Sequence, residues 1–172
     1  MGVSDLAEAG VLERQTATVM EMVAKAGLSI ATAESCTGGL LAALLTDIKG
    51  FSGSFDRGFV TYSEQSKRQM LGIPGNLIRM HGVVSRDVAL RMAQGALSRS
   101  NADLSIGITG FAGPAGVRDE AGLVHLAVVA GARPAIVREC HFGLAERDVV
   151  RRRTVRAALE MLEEMVVVFQ VE

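Results

Sequence analysis

Ser35 and Cys36 stand side by side in the stretch TAESCTGG (32–39), after an apolar, β-branched run and before a glycine pair. Either side chain is a nucleophile candidate, and a plainer alternative stays open: Ser35 or Thr37 caps a helix while Gly38 and Gly39 let it pack closely. If a strand gives way to a helix near Thr37, the free N–H groups of the first turn and the helix dipole favour negative charge there. A developing oxyanion or a phosphate would be stabilised. The stretch is not a Walker loop, because the GxxxxGK spacing and its lysine are missing.

A serine hydroxyl attacks a carbonyl only when something takes its proton. Histidine is the usual base, and there are three. His125 and His141 fall within strands, and His81 sits in RMHGVV, a loop before a helix, so all three read as structural or surface residues. Lysine is the other base. TYSEQSK places Tyr62 and Lys67 five positions apart across a strand-to-helix turn, where their polar ends can converge. To serve near neutral pH, Lys67 must come down from about 10.4, at roughly 4 to 5 kcal/mol, which demands a desolvated, electropositive pocket. A tyrosine hydroxyl in that pocket can orient the amine or pass the proton. The competing reading is a lysine on a solvated helix face.

Beside a helix N-terminus the Cys36 thiolate would be favoured, which makes it a rival nucleophile. Alternation along the chain turns Ser35 and Cys36 different ways, so only one sees the pocket. Thr109 and Gly110 end a strand in GITGFAGPAG, whose exposed amides can bind an anion or shape a pocket wall, and Pro114 marks a rigid turn. The run ERDVVRRRTVR (146–156) carries Arg147, Arg151, Arg152, Arg153 and Arg156, which cannot all face one way. Those near the helix start can reach a substrate phosphate.

These residues need elements to hold them. Helical spacing runs over 8–26 with Gly27 as a stop, over 40–48 ended by Gly50, over 63–72 with Ser63 as N-cap, over 85–100 and over 145–169. Strands read at 28–33, 59–62 and 103–110, followed by a glycine-rich loop (111–122) and an antiparallel hairpin, LVHLAVVA and AIVRECHF joined by GARP. Strands separated by helices and finished by a hairpin predict a three-layer α/β/α domain with a mostly parallel sheet and one antiparallel member. Ligands in such sheets sit outside the carboxyl ends of the parallel strands, where 34–39, 62–67 and 109–116 fall.

Composition bounds the rest. At 172 residues, 49% hydrophobic and 22% charged, the chain is long enough for one compact domain and short for two. A net charge of −1 leaves no general pull toward polyanions, so nucleic acid and membrane surfaces are poor partners and any anion must be met locally. Two cysteines in an aliphatic-rich chain suggest a reduced intracellular protein. An acidic start (Asp5, Glu8, Glu13) lacks a secretory signal, and no apolar run approaches a membrane span, so the expected location is the cytoplasm.

Taken together, TAESCTGG, FDRGFVTYSEQSK, HGVVS, ITGFAGPAG and ERDVVRRR resemble the C-terminal domain of competence/damage-inducible protein CinA, the nicotinamide-nucleotide amidohydrolase family. The likeness runs from about residue 12 onward. Many members carry a second, N-terminal domain, whereas this chain reads as a stand-alone domain over 1–172. The resemblance implies a five-stranded mixed sheet and hydrolysis of the carboxamide of nicotinamide mononucleotide, with no metal or cofactor and a small nucleotide as the partner. Carried over by motif, Ser35 is the nucleophile, Lys67 the general base and Tyr62 its partner. Thr109 and Gly110 line the pocket, and Arg147 or Arg151 meets the nucleotide. In the acyl transfer this suggests, amides around Cys36 to Gly39 hold the oxyanion, with Thr37, Gly38 and Gly39 on the substrate. The loop after AGP departs from the family's usual glycine pair, which alters a pocket wall. Two other readings stay open: a nucleotide-binding or regulatory module without turnover, and a cysteine hydrolase built on Cys36. The apolar helices also leave room for self-association.

Overall fold

The structure, a computed structural model, describes residues 3–113, 116 and 119–170. Pro114 and the centre of the departing loop lie outside them. In chain order the elements are α1 (Val3–Lys25), β1 (Ile30–Glu34), α2 (Leu40–Asp47), a 3-10 turn (Ser52–Ser54), β2 (Phe55–Val60), α3 (Glu64–Leu71), α4 (Gly75–His81), α5 (Arg86–Ser98), β3 (Leu104–Gly110), β4 (Leu123–Val129), β5 (Ile136–His141) and α6 (Arg147–Gln170).

The five strands form one sheet in the order β2-β1-β3-β4-β5. β1 pairs parallel with β2 and β3, and β4 runs antiparallel to both β3 and β5. Four strands therefore point one way and only β4 is reversed, as the short GARP connection requires. Every residue of β1 is buried, because it has strands on both edges and helices on both faces. Val19, Met20, Leu41, Leu159 and Met165 pack with Ile30, Ile106, Ile108 and Leu126, so α1, α2 and α6 cover one face. Leu71, Ile78, Val88 and Met92 pack against Ala31 and Ala33, putting α3, α4 and α5 on the other.

That second layer lies unusually close. A Cβ on Gly107 of β3 would stand 2.3 Å from the Ala89 carbonyl of α5, and one on Gly95 of α5 would stand 2.3 Å from the Leu71 carbonyl of α3. Backbones can touch at both places only because no side chain intervenes. α3 itself is framed by its own residues. Ser63 and Ser66 form a reciprocal capping box, and Gly72 at φ 67 closes the C-terminus in the left-handed region.

Three boundaries differ from the sequence expectation. The second strand spans Phe55–Val60 rather than 59–62; it is an edge strand, so Asp56, Arg57 and Gly58 are tolerated where periodicity alone reads a loop. Tyr62 consequently lies beyond the strand. His81 closes α4 instead of sitting in a loop, a seven-residue helix too short to show a period. Finally, α2 begins at Leu40, with Gly39 at its N-cap at φ 94, not near Thr37. Cys36 and Cys140 are both free thiols. Among the described residues no helix is long and apolar enough to cross a membrane.

Candidate active site

β1 ends at Glu34, and the chain stays in the sheet for one more residue, with the Ser35 amide donating to the Ile108 carbonyl at 3.1 Å. On its other side the Thr61 amide donates to the Glu34 carbonyl at 2.8 Å, extending the β1–β2 pairing past Val60. These two backbone bonds bring the β1–α2 and β2–α3 junctions together. Lys67, in the second turn of α3, then points inward. Its Nζ donates to Ser35 Oγ at 2.8 Å and to the Thr61 carbonyl at 2.7 Å. Only 2% of Lys67 is exposed. Burial brings its pKa down from 10.5 to about 8, with a small opposing pull from Cys36. As the neutral amine forms, Nζ keeps an N–H for Thr61 and gains a lone pair for the serine proton.

Cys36 is the poorer nucleophile. Its side chain packs in the core, and burial, with help from the Glu34 charge, pushes the thiol up to about 11, against the hydrogen bond of its own backbone amide and then the pull of Lys67 and Arg151. The expected thiolate is overruled because α2 starts three residues further on and its free amides are already taken. Glu34, fully buried, accepts from Gly39 N at 3.1 Å, Leu41 N at 3.2 Å and Ala42 N at 2.8 Å. A carboxylate of the protein itself therefore occupies the anion position at this helix start.

That arrangement corrects the expected roles of Gly38 and Gly39 in holding an oxyanion. The Gly39 amide is spent on Glu34, and the Gly38 amide donates to the Ser35 carbonyl at 3.2 Å. Within the turn, the Cys36 amide faces its own thiol, and neither it nor the Thr37 amide has a backbone or carboxylate acceptor among the described residues. Cys36 borders the cavity; Thr37 is 2% exposed and does not.

A cavity of about 340 Å³ opens over Ser35 and Lys67, walled by Tyr62, Thr109, Gly110 and Arg147, with Glu64 and Phe111 alongside. Thr109 is buried and donates from Oγ1 to the Val83 carbonyl at 2.8 Å, which ties the end of β3 to the loop before α5. Arg147, the first residue of α6, reaches this wall. Arg151 does not: its Nε donates to the Cys36 carbonyl at 2.8 Å behind the turn. Tyr62 is 67% exposed at the rim, and the second partner of Lys67 is the Thr61 carbonyl where a phenol was expected. The histidines border no part of the cavity.

Sequence reasoning missed Glu34 and Thr61. Glu34 did carry a signal, since a carboxylate inside an apolar strand must find partners, and two glycines a few positions on let the chain fold its amides back. Thr61 acts through its carbonyl, which leaves no trace in residue type.

A layered α/β architecture with a buried lysine against a serine at the carboxyl ends of its parallel strands is the setting for the comparisons with known proteins. The family model of the CinA C-terminal domain matches residues 12–166, and the chain belongs to that family. It is 45% identical over 139 residues to the nicotinamide-nucleotide amidohydrolase PncC of Escherichia coli strain K12, covering 79% of this chain and 83% of that protein. It is 42% identical to a CinA-like protein of Syntrophobacter fumaroxidans, of which the match spans 34%. Among solved structures, competence/damage inducible protein CihA from Agrobacterium tumefaciens superposes with a TM-score of 0.86 at 44% identity, covering 89% of this chain and 94% of that one. A CinA superfamily protein from Escherichia coli follows at 0.83, with 32% identity and coverage of 96% and 93%.

Proposed function

We propose that this chain hydrolyses the carboxamide of nicotinamide mononucleotide to nicotinic acid mononucleotide and ammonia, a step of pyridine nucleotide recycling in the cytoplasm. The observation that carries the chemistry is the 2.8 Å contact between Lys67 Nζ and Ser35 Oγ inside a cavity. The substrate follows from the name of the 45% identical relative.

Neutral Lys67 takes the Ser35 proton as Oγ bonds to the amide carbon. The carbonyl oxygen becomes an oxyanion and is met by the Cys36 amide. Collapse breaks the C–N bond, Lys67 returns its proton to the leaving nitrogen, and ammonia departs. Water then attacks the acyl-serine while Lys67 accepts its proton; collapse breaks the acyl–Oγ bond, Lys67 returns that proton to Ser35 Oγ, and the acid is released. Tyr62, at the rim, presents its phenol to the scissile amide once substrate fills the cavity. Thr109 and Gly110 form the wall, and Arg147 meets the phosphate. These steps use only this chain's groups and water.

Ammonia release from nicotinamide mononucleotide by the purified protein tests the reading, together with a mass shift on Ser35 when turnover is quenched. Background-level ammonia from fresh, folded protein would sink it.

A further inference from the structure

The basic run at the start of α6 divides its work. Arg147 lines the cavity, whereas Arg151, one helical turn on, turns behind the nucleophile's loop and bonds the Cys36 carbonyl at 2.8 Å. Its guanidinium also lies over Gly38, where a Cβ would stand 3.3 Å from Nη2. Gly38 has φ +66, so the loop passes under the guanidinium in a conformation that glycine adopts freely. At the other end Glu34 holds the same loop by its three bonds to Gly39, Leu41 and Ala42. The five residues 35–39 are thus pinned at both ends by groups that do not border the cavity.

We infer that Arg151 and Glu34 are positioning residues that clamp the β1–α2 turn, aiming Ser35 Oγ at Lys67 and the Cys36 amide at the cavity. Arg151 acts on the second peptide after the nucleophile, since the Cys36 carbonyl it holds on the α6 side belongs to the Cys36–Thr37 unit. The strand bond at Ser35 N fixes the Glu34–Ser35 peptide, and the Gly38 amide, donating to the Ser35 carbonyl at 3.2 Å, ties the Ser35–Cys36 peptide between them. With a bond on each of the three peptides, Ser35 has little freedom. Glu34 acts by binding the first turn of α2 to the last residue of β1, so the loop cannot lift away from the sheet. This assignment rests on the proposed acyl transfer at Ser35, and it separates Arg151 from phosphate binding, the role that a basic run near a nucleotide site suggests.

The test compares Arg151→Leu, Arg151→Lys and Glu34→Gln with the unaltered protein. Turnover of nicotinamide mononucleotide is measured alongside the rate at which a fluorophosphonate labels Ser35, a reaction that forms an O–P bond, expels fluoride and needs no amide substrate. A clamp predicts that Arg151→Leu lowers kcat about 100-fold, the cost of a misplacement near 1 Å. It also predicts an equal loss of labelling, a KM within threefold and an unmoved rising limb in the pH profile of kcat. Arg151→Lys, which still reaches one carbonyl, recovers most of both rates. Glu34→Gln lowers both rates in the same proportion to each other.

A rise in KM with kcat and labelling preserved makes Arg151 a substrate ligand and overturns the inference. So does full labelling by folded Arg151→Leu. If labelling falls in the variants but no protein releases ammonia, the clamp stands and the proposed substrate fails. If the unaltered protein neither labels nor turns over, both fail.

Discussion

Lys67 and His141 both stand at the end of the sheet where β1, β2, β3 and β5 finish, yet their surroundings push them in opposite directions. Lys67 is buried, bonds a hydroxyl and a carbonyl, and is lowered to about 8 by desolvation. His141 is exposed and bonds Glu120 at 2.8 Å and Glu139 at 2.9 Å, in that order the main causes of its raised pKa. One cluster strips water and charge partners from a strong base until it can act as a free amine. The other gives a weak base two carboxylates, which favour its cationic form. Residue type alone ranks histidine as the better proton acceptor at neutral pH; environment reverses the ranking. His125 lies between the two clusters, paired across the sheet with Thr109, and burial lowers it with Glu139 opposing.

The comparison breaks at its strongest point if Lys67 is not the base. Ser35→Ala and Lys67→Met should each cut amide turnover at least about 1000-fold, read as ammonia release. Survival of activity in either would move the chemistry elsewhere. Arg147→Gln, which removes one charge-assisted contact, should raise KM roughly 10- to 100-fold while kcat changes little.

The pH profile sharpens the contrast. With Lys67 acting as a free base, kcat should rise about tenfold per pH unit below pH 8 and level above it. A limb centred near the ordinary lysine range would mean that the amine is solvated. The same depressed pKa has a cost in stability, present in full below about pH 8 and relieved as pH climbs toward 10.5. Inactive Lys67→Met should therefore be more stable at pH 7 by an amount of order 2 kcal/mol, measured by denaturant unfolding. At the small end, His141→Gln should leave turnover within twofold. Its contribution to stability is present below the ordinary histidine range and fades as pH rises through the raised value.

Much of this was legible before any coordinates. Alternation of strands and helices, the stop signals Gly27 and Gly72, and the short GARP connection predict the layers and the single reversed strand. Ser35 and Lys67 were both placed at strand ends, which is enough to bring them to one edge of the sheet. What did not show was work done by main-chain atoms. The Thr61 carbonyl on Lys67 and the Cys36 carbonyl on Arg151 join residues 6 and 115 positions apart, and no residue type encodes an acceptor that every residue carries. Arg147 and Arg151, four residues apart on α6, look alike in sequence; their difference is settled by the distance from each to the cavity.

Neither Gly107 nor Gly95 borders the cavity, but nucleophile and base travel on separate decks. Ser35 rides on the sheet and Lys67 on α3. The interdeck gap is set where α5 rests on Gly107 and α3 rests on Gly95. A single added methyl at either seat works as a shim, widening the space that the serine proton must cross. Two side-chain-free positions thus act as the spacers of the proton-transfer distance.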